Sequence, residues 1–204
     1  SGIVGRFTNN TNQTLDLGVI SGSGAAGGVY YNSANSGYQA FQTGGTERVR
    51  ILSGGGITFN GDTAAANALD DYEEGTFTPT FVLGGGSATV DSSEDLCMYT
   101  KIGRLVTVSG RIKVGSVSSP SSFLIITNLP FTVTNFGENS SVNAATCNLY
   151  SLASSITGAI NAEMHSQGIL IRDNGATTGD VQNMADHIDD GTRIAFTGTY
   201  NTTD

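Results

Sequence analysis

The chain has 204 residues, of which 38% are hydrophobic and only 13% charged, with a formal net charge of −9. That length allows one or two domains, and so little charge argues against disorder of the acidic, solvated kind. The acidic balance argues against nucleic acid and anionic membrane as partners on electrostatic grounds, and no apolar run approaches the ~18 residues a helix needs to cross a bilayer.

The chain opens Ser1-Gly2-Ile3-Val4-Gly5-Arg6, without an initiator Met and without a charged-then-apolar leader. It is therefore expected to be a fragment or a processed product. Residues 1–61 are expected to form a glycine-rich β segment. Half of the 28 glycines lie in residues 1–69, and the large apolar residues there come in small groups separated by glycine-rich gaps. Leu15-Asp-Leu17-Gly-Val19 and Val49-Arg-Ile51 alternate with period two, so short strands are expected. Thr46–Asn60 has the form strand, glycine turn, strand. Such a segment buries too little apolar surface to offset its chain entropy alone. Several copies pooling their strands around one axis would solve this, with small residues allowing the backbones to approach. In residues 1–69, Arg6, Arg48 and Arg50 balance Asp16, Glu47 and Asp62, so all of the net charge of −9 falls on residues 70–204.

Residues 62–75 are expected to form one short helix at a junction, capped by Asp62 or Thr63, favoured by its alanines and ended by Gly75. Asp70, Asp71, Glu73 and Glu74 would then lie at the helix end where the dipole disfavours negative charge. Three offsets are open: solvation, pairing with Lys101, Arg104 or Arg111, or a bound calcium ion. The regular calcium-loop spacing is absent, and no metal site is assigned.

Residues 76–204 read as an all-β domain. In Arg104–Val114, Val106, Val108, Ile112 and Val114 point one way, and Leu105, Thr107, Ser109, Arg111 and Lys113 the other. Ile194, Phe196 and Tyr200 share a face of the closing strand, Arg193–Tyr200. With Thr76–Leu83, Leu96–Ile102, Phe123–Asn128, Ala144–Tyr150, Ile156–Met164 and Gly168–Arg172 they make about eight short strands. Turns are expected at Gly84–Ser87, Gly115–Ser122, Asn135–Ser141 and Asp173–Asp180. This pattern indicates a β-sandwich of jelly-roll type.

Three stretches of this half together resemble the C-terminal domain of bacteriophage tail-fibre and fibre-like proteins: Leu69–Phe81, Tyr99–Ile112 and Asn128–Phe131. Ile194–Tyr200 is similar to that family's last strand. The likeness runs from about residue 46 to the end. Phe77 departs from it, standing where the family often has tryptophan. Residues 1–45 resemble only a glycine-rich fibre shaft. The resemblance implies a homotrimeric, non-enzymatic virion protein: an all-β chain with a glycine-rich trimeric fibre shaft, one short junction helix and a C-terminal β-sandwich head. It implies a tail or other surface appendage assembled in the host cytoplasm. Other virion proteins would be met through a missing N-terminal part, and a host-surface glycan or protein by the head. It carries over no ligand residues.

The residues themselves offer little chemistry. Cys97 and Cys147 are too few for a disulfide framework or a zinc site, and are expected to be free, buried thiols. Neither His165 nor His187 lies near a nucleophile-elbow motif. His165 is expected to face outward beside Met164, and His187 to lie in the acidic loop Met184–Gly191. Gly22–Gly28 and Gly54–Gly56 lack the Lys-Ser/Thr of a phosphate loop. Neither a catalytic residue nor a cofactor is assigned. Two polar loops are candidates for receptor contact, Asn135, Phe136, Glu138 and Asn139 in one and Arg172, Asp173 and Asn174 in the other. The same residues also make ordinary turns. Two further functional classes stay open: a decoration or joining protein that touches no host, and a polysaccharide-degrading spike using paired carboxylates.

Overall fold

In the computed structural model the described residues are 2–8, 14–22, 25–33, 37–134, 144–156, 158–173 and 183–203. The chain is all-β and divides into two compact units, Ser1–Asp70 and Asp71–Asp204. Among the described residues no helix is long and apolar enough to cross a membrane.

The first unit contains two three-stranded antiparallel sheets. Strands β1 (Gly2–Thr8), β2 (Thr14–Gly22) and β3 (Ala25–Ser33) form one, in that order. Strands β4 (Gln39–Thr43), β5 (Thr46–Ile51) and β6 (Ile57–Phe59) form the other. The expected strand–glycine turn–strand is therefore present, with its turn closed by Gly55 N–H donating to the Leu52 carbonyl at 3.1 Å.

The expected junction helix is not present over 62–75. A 3-10 turn at Ala65–Asn67 is its only helical part, and Tyr72 already begins a strand. The reason is local competition. The Asp62 carboxylate accepts from Ala64 N–H at 2.8 Å and from the Asn67 amide at 2.7 Å, which closes a single tight turn. Leu69 then pairs as a bridge with Ile57. One isolated turn cannot repay the cost of helix nucleation, and edge pairing with a neighbouring strand captures the residues that follow.

The second unit is one continuous eight-stranded sheet. Its strands are β7 (Tyr72–Phe77), β8 (Thr80–Val90), β9 (Cys97–Ile102), β10 (Leu105–Thr127), β11 (Ala144–Tyr150), β12 (Ile160–His165), β13 (Gly168–Asp173) and β14 (Arg193–Asn201). The order is β13-β12-β11-β14-β10-β9-β7, with β8 added on β10. Strand β10 also pairs with β13 through Leu124–Ile126, which closes five strands into a small barrel. The jelly-roll sandwich expected from the turn spacing is thus corrected to a single curled sheet. The cause is β10 itself. At 23 residues it is long enough for its first half to pair with β9 and β14 and its second half with β8 and β13.

Two expected turns lie inside that pairing. Both lie in a bulged ribbon between β8 and β10, in which Ser87 pairs with Ser118 and Gly85 with Ser121, while Ser116 and Val117 pair with Thr89 and Ala88. Register shifts flank Ser118, Ser121 and Leu124, and Ser119 and Ser122 have φ of 47° and 70°. Bulges accommodate Pro120, which has no N–H to give. Gly86, at φ 73°, lies where a Cβ would stand 2.1 Å from the Ser119 carbonyl oxygen, so a side chain is barred from the ribbon at that point.

The core lies inside the barrel, where the alternation read in the sequence holds. Val106, Val108, Ile112 and Val114 are buried, as are Ile194, Phe196 and Tyr200, while Leu105 is exposed. Leu124, Ile126, Met164, Ile169, Ile171 and Met184 complete it. Cys97 is a free, fully buried thiol pressed against Gly110, where a Cβ would fall 2.2 Å from its Sγ. Burial pushes its pKa up to about 12, and that of the half-buried Cys147 to about 11. Outside the barrel wall, Glu94 is held by Arg193 through bonds of 3.0 to 3.2 Å, and Asp91 by Lys113 at 2.5 Å.

Candidate functional site

The three fibre-like stretches, far apart in sequence, meet at one end of the barrel. Asp71 pairs with Lys101, whose side chain is almost fully buried. Glu73 accepts the hydroxyl of Tyr99, whose ring meets Phe131 edge-on at 5.5 Å. The Lys101 ammonium lies 5.2 Å from the same Phe131 ring, and the Tyr200 hydroxyl donates to the Phe131 carbonyl at 3.2 Å. Asn128 ties the cluster to the first stretch by donating to the Thr78 carbonyl at 2.7 Å. These residues lock β7, β9, β14 and the segment after β10 together. Of the acidic residues expected at a helix end, Asp71 is therefore offset by Lys101, one of the three partners considered. Glu74 accepts from the Tyr72 hydroxyl at 2.8 Å. Among the described residues no group of three or more His, Cys, Asp or Glu side chains could hold a metal ion.

Of the residues singled out for receptor contact, Asn135, Phe136, Glu138, Asn139 and Asn174 lie outside the described residues. Arg172 and Asp173 are described, at the end of β13. Arg172 pairs with Glu163 of β12 at 2.7 Å. Asp173 is buried, and its Oδ2 lies 3.5 Å from Nε2 of His187. On the other side of that imidazole, the exposed Ser154 hydroxyl is 2.7 Å from Nδ1. His187 sits in a 3-10 turn, Met184–His187, fixed by burial of Met184 and Ala185. His165 is half-buried and accepts the Gln167 N–H at Nδ1, 3.3 Å away.

Ser154, His187 and Asp173 are the residue types of a hydrolytic triad, brought together from three elements. The ring is turned relative to the common arrangement, in which Nε2 faces the serine. The Ala153 N–H beside Ser154 is already donated to the His187 carbonyl at 2.9 Å, so it is not free to stabilise an oxyanion. Sequence reading missed the grouping because Ser154 and His187 are 33 residues apart and neither lies in a motif.

A second surface was also not legible as a site. Outward-facing residues of β7, β9 and β10 line a shallow groove of about 520 Å³. Register sets its rows: Thr76, Met98 and Ser109 in one, Glu74, Thr100 and Thr107 in the next. Tyr72, Ile102 and Leu105 form a third row, all exposed. Hydroxyl groups can both donate and accept, and Met98 supplies an apolar contact between them. Such a wall suits a polyhydroxylated ligand held by many weak contacts. No motif marks it, because each strand contributes only alternate residues.

Comparison with known proteins found no matching family model and no matching curated protein. Among solved structures, the fold is similar to that in the crystal structure of the Dettilon tailspike protein (gp208), with a TM-score of 0.54 and 21% identity. The match covers 64% of this chain and 24% of that one, so the chain corresponds to about a quarter of the tailspike's length. At that identity the likeness is one of fold.

Proposed function

We propose that the protein is a structural component of a phage tail appendage, a homotrimer that presents its barrel unit to a host-surface glycan or protein without catalysing a reaction. The supporting observation is the likeness of fold to a phage tailspike. The fibre-like stretches point the same way, and the structure gives them the role of fold landmarks. The hydroxyl-lined groove is the contact surface, and three copies would multiply a weak affinity into useful avidity. The net charge of −9 on residues 70–204 keeps nucleic acid away. The appendage would sit on the virion, joined to other virion proteins.

The test is binding of the purified full chain to panels of bacterial lipopolysaccharide and capsular polysaccharide, and to whole cells. Retention on one class of surface, weakened at least tenfold by Met98→Asp in the groove, is the expected result. Binding to no surface would favour a decoration or joining protein instead.

A spike that removes ester-linked acyl groups from a polysaccharide is the second reading, favoured by the Ser154–His187–Asp173 grouping. It requires release of acetate from a bound polysaccharide, abolished by Ser154→Ala.

A further inference from the structure

The groove on the barrel wall does not end at its Ser109 row. A second hollow of about 690 Å³ lies beside it, lined among others by Ser92, Ser93, Asp95, Leu96 and Arg111. The two hollows share Met98 and Ser109, so they form one trough. Along β10 the trough runs from Thr107 past Ser109 to Arg111, about 13 Å at the usual rise of a strand. That is longer than one sugar ring and suits a chain of them.

The wall of the second hollow is built before any ligand arrives. The Asp91 carboxylate accepts from the Ser93 N–H at 2.9 Å and from its hydroxyl at 2.7 Å, which closes a tight local turn. Glu94 N–H donates to the Asp91 carbonyl at 3.0 Å, and the Glu94 carbonyl accepts from Lys113 N–H of β10 at 3.1 Å. Arg193 grips the Glu94 carboxylate from β14. A loop tied down in this way loses little freedom on binding. Leu96 and Met98, two residues apart and so on one face, are 65% and 61% exposed. They set apolar spots among the hydroxyls of Thr76, Thr107, Ser109 and Ser93. A pyranose ring offers the complement of both, a rim of hydroxyls and faces of C–H groups.

Charge decides which sugars fit. Glu74 puts a carboxylate in the first hollow and Asp95 puts one in the second. The Arg111 guanidinium shares Glu94 with Arg193, its Nε 3.3 Å from Glu94 Oε2. The trough therefore has no excess of positive charge, and it lies in the part of the chain that carries all of the −9. Such a surface repels a polyanion. We infer that the trough takes a neutral oligosaccharide, and that the Ser92–Leu96 loop adds a sugar subsite beyond the groove. Chains rich in uronic acid or phosphate are turned away. The inference rests on the reading of the groove as the attachment surface, and it adds the class of glycan and the second subsite.

The full chain is titrated with surface polysaccharides from bacteria that retain it, separated by anion exchange into neutral and acidic fractions. Binding to the neutral fraction is expected to be at least tenfold tighter. It should not change when salt is raised to about 1 M, where the screening length falls to about 3 Å. Leu96→Asp, which alters the second hollow alone, should weaken that binding at least fivefold with the cooperative unfolding of the barrel unit retained. Tighter binding to the acidic fraction, falling with salt, would overturn the inference and leave host attachment standing. So would retention on cells that protease treatment removes and neither fraction competes, since the receptor would then be a protein. Binding weakened by Met98→Asp but untouched by Leu96→Asp would confine the ligand to the first hollow and remove the second subsite. Retention on no bacterial surface would remove the attachment reading itself, and this inference with it.

Discussion

Residues 37–70 and residues 71–204 use the same kind of strand to opposite ends. In the barrel unit, alternation sends every second side chain into a closed interior, and fully buried Val106, Val108, Ile112, Leu124, Ile126, Ile194 and Tyr200 fill it. In the β4–β6 sheet, alternation interrupted by one register shift closes no interior: Phe41, Ile51 and Phe59 are exposed on one face, while Arg50 pairs with Glu47 on the other. Local pattern is thus the same in both regions, and closure makes the difference. A sheet that curls until β10 meets β13 supplies its own second layer, whereas the three short strands β4–β6 do not.

Truncation should separate the two regions most clearly. Leu124→Ala, at the point where β8, β10 and β13 join, should lower stability by about 2–5 kcal/mol in denaturant unfolding followed by circular dichroism. Phe59→Ala should leave the unfolding of the barrel within about 0.5 kcal/mol of wild type and act on assembly instead. Equal losses from both would erase the distinction between a closed core and an open face.

Crowding gives the next largest effect. Gly110→Ala places a methyl on the Cys97 Sγ and should cost about 1–3 kcal/mol, in the usual range for overpacking. Cys97→Ser should not mimic it, because the crowding comes from volume at position 110. A neutral Gly110→Ala would mean that β9 and β10 are less tightly joined than the geometry indicates.

A smaller effect concerns acid. Lys113, together with the Ser93 N–H and hydroxyl, holds the Asp91 carboxyl well below its ordinary value of 3.8. Arg193 likewise lowers Glu94. A depressed folded-state pKa stabilises the fold above the unfolded pKa, and this stabilisation is lost as the pH falls towards the folded value. Asp91→Asn should therefore weaken the protein at neutral pH and flatten its decline below about pH 4, with the two proteins converging in strong acid. Parallel pH profiles would show that the pair does not survive in solution.

The mildest test is thiol reactivity. With Cys97 pushed up to about 12 and Cys147 to about 11 by burial, both hold little thiolate at neutral pH. Ellman's reagent should react slowly with the native chain and at once after unfolding, and Cys147, being half-buried, should react before Cys97. A fast native reaction at Cys97 would mean that the barrel opens far more often than its core suggests.

The legible part of this fold was what period two encodes. Val106–Val114 and Ile194–Tyr200 could be assigned faces because their alternation is unbroken over several residues. The stretch Gly115–Ser122 could not be seen as strand. Glycine, serine and proline write the same local signal for a turn and for a bulged ribbon, and only the pairing with β8 decides between them. The junction helix failed for a related reason: alanines favoured it, but Asp62 closed one turn and β9 claimed the residues from Tyr72 onward. The β-sandwich was misread because turn spacing reports the number of strands and is silent about whether their sheet closes.

The candidate sites were less legible than the fold. Arg172 and Asp173 were singled out as candidates for receptor contact; both lie at the end of β13, where Asp173 is buried beside His187. Thr76, Met98, Thr100, Thr107 and Ser109 carried no signal, since a groove across three strands is assembled from register. The three fibre-like stretches were visible as sequence, and their meeting around Lys101 and Phe131 gives them a structural meaning.

The most direct test of the contrast between the closed barrel and the open sheet is the light-scattering mass of the wild-type chain in dilute solution. A value of three times 21.0 kDa is expected from the proposed homotrimer, in which sister chains would cover the open sheet. A stable 21.0 kDa particle whose β4–β6 amides remain protected from hydrogen exchange would show that the sheet holds without them, and would remove the physical ground for reading this chain as part of an assembled appendage.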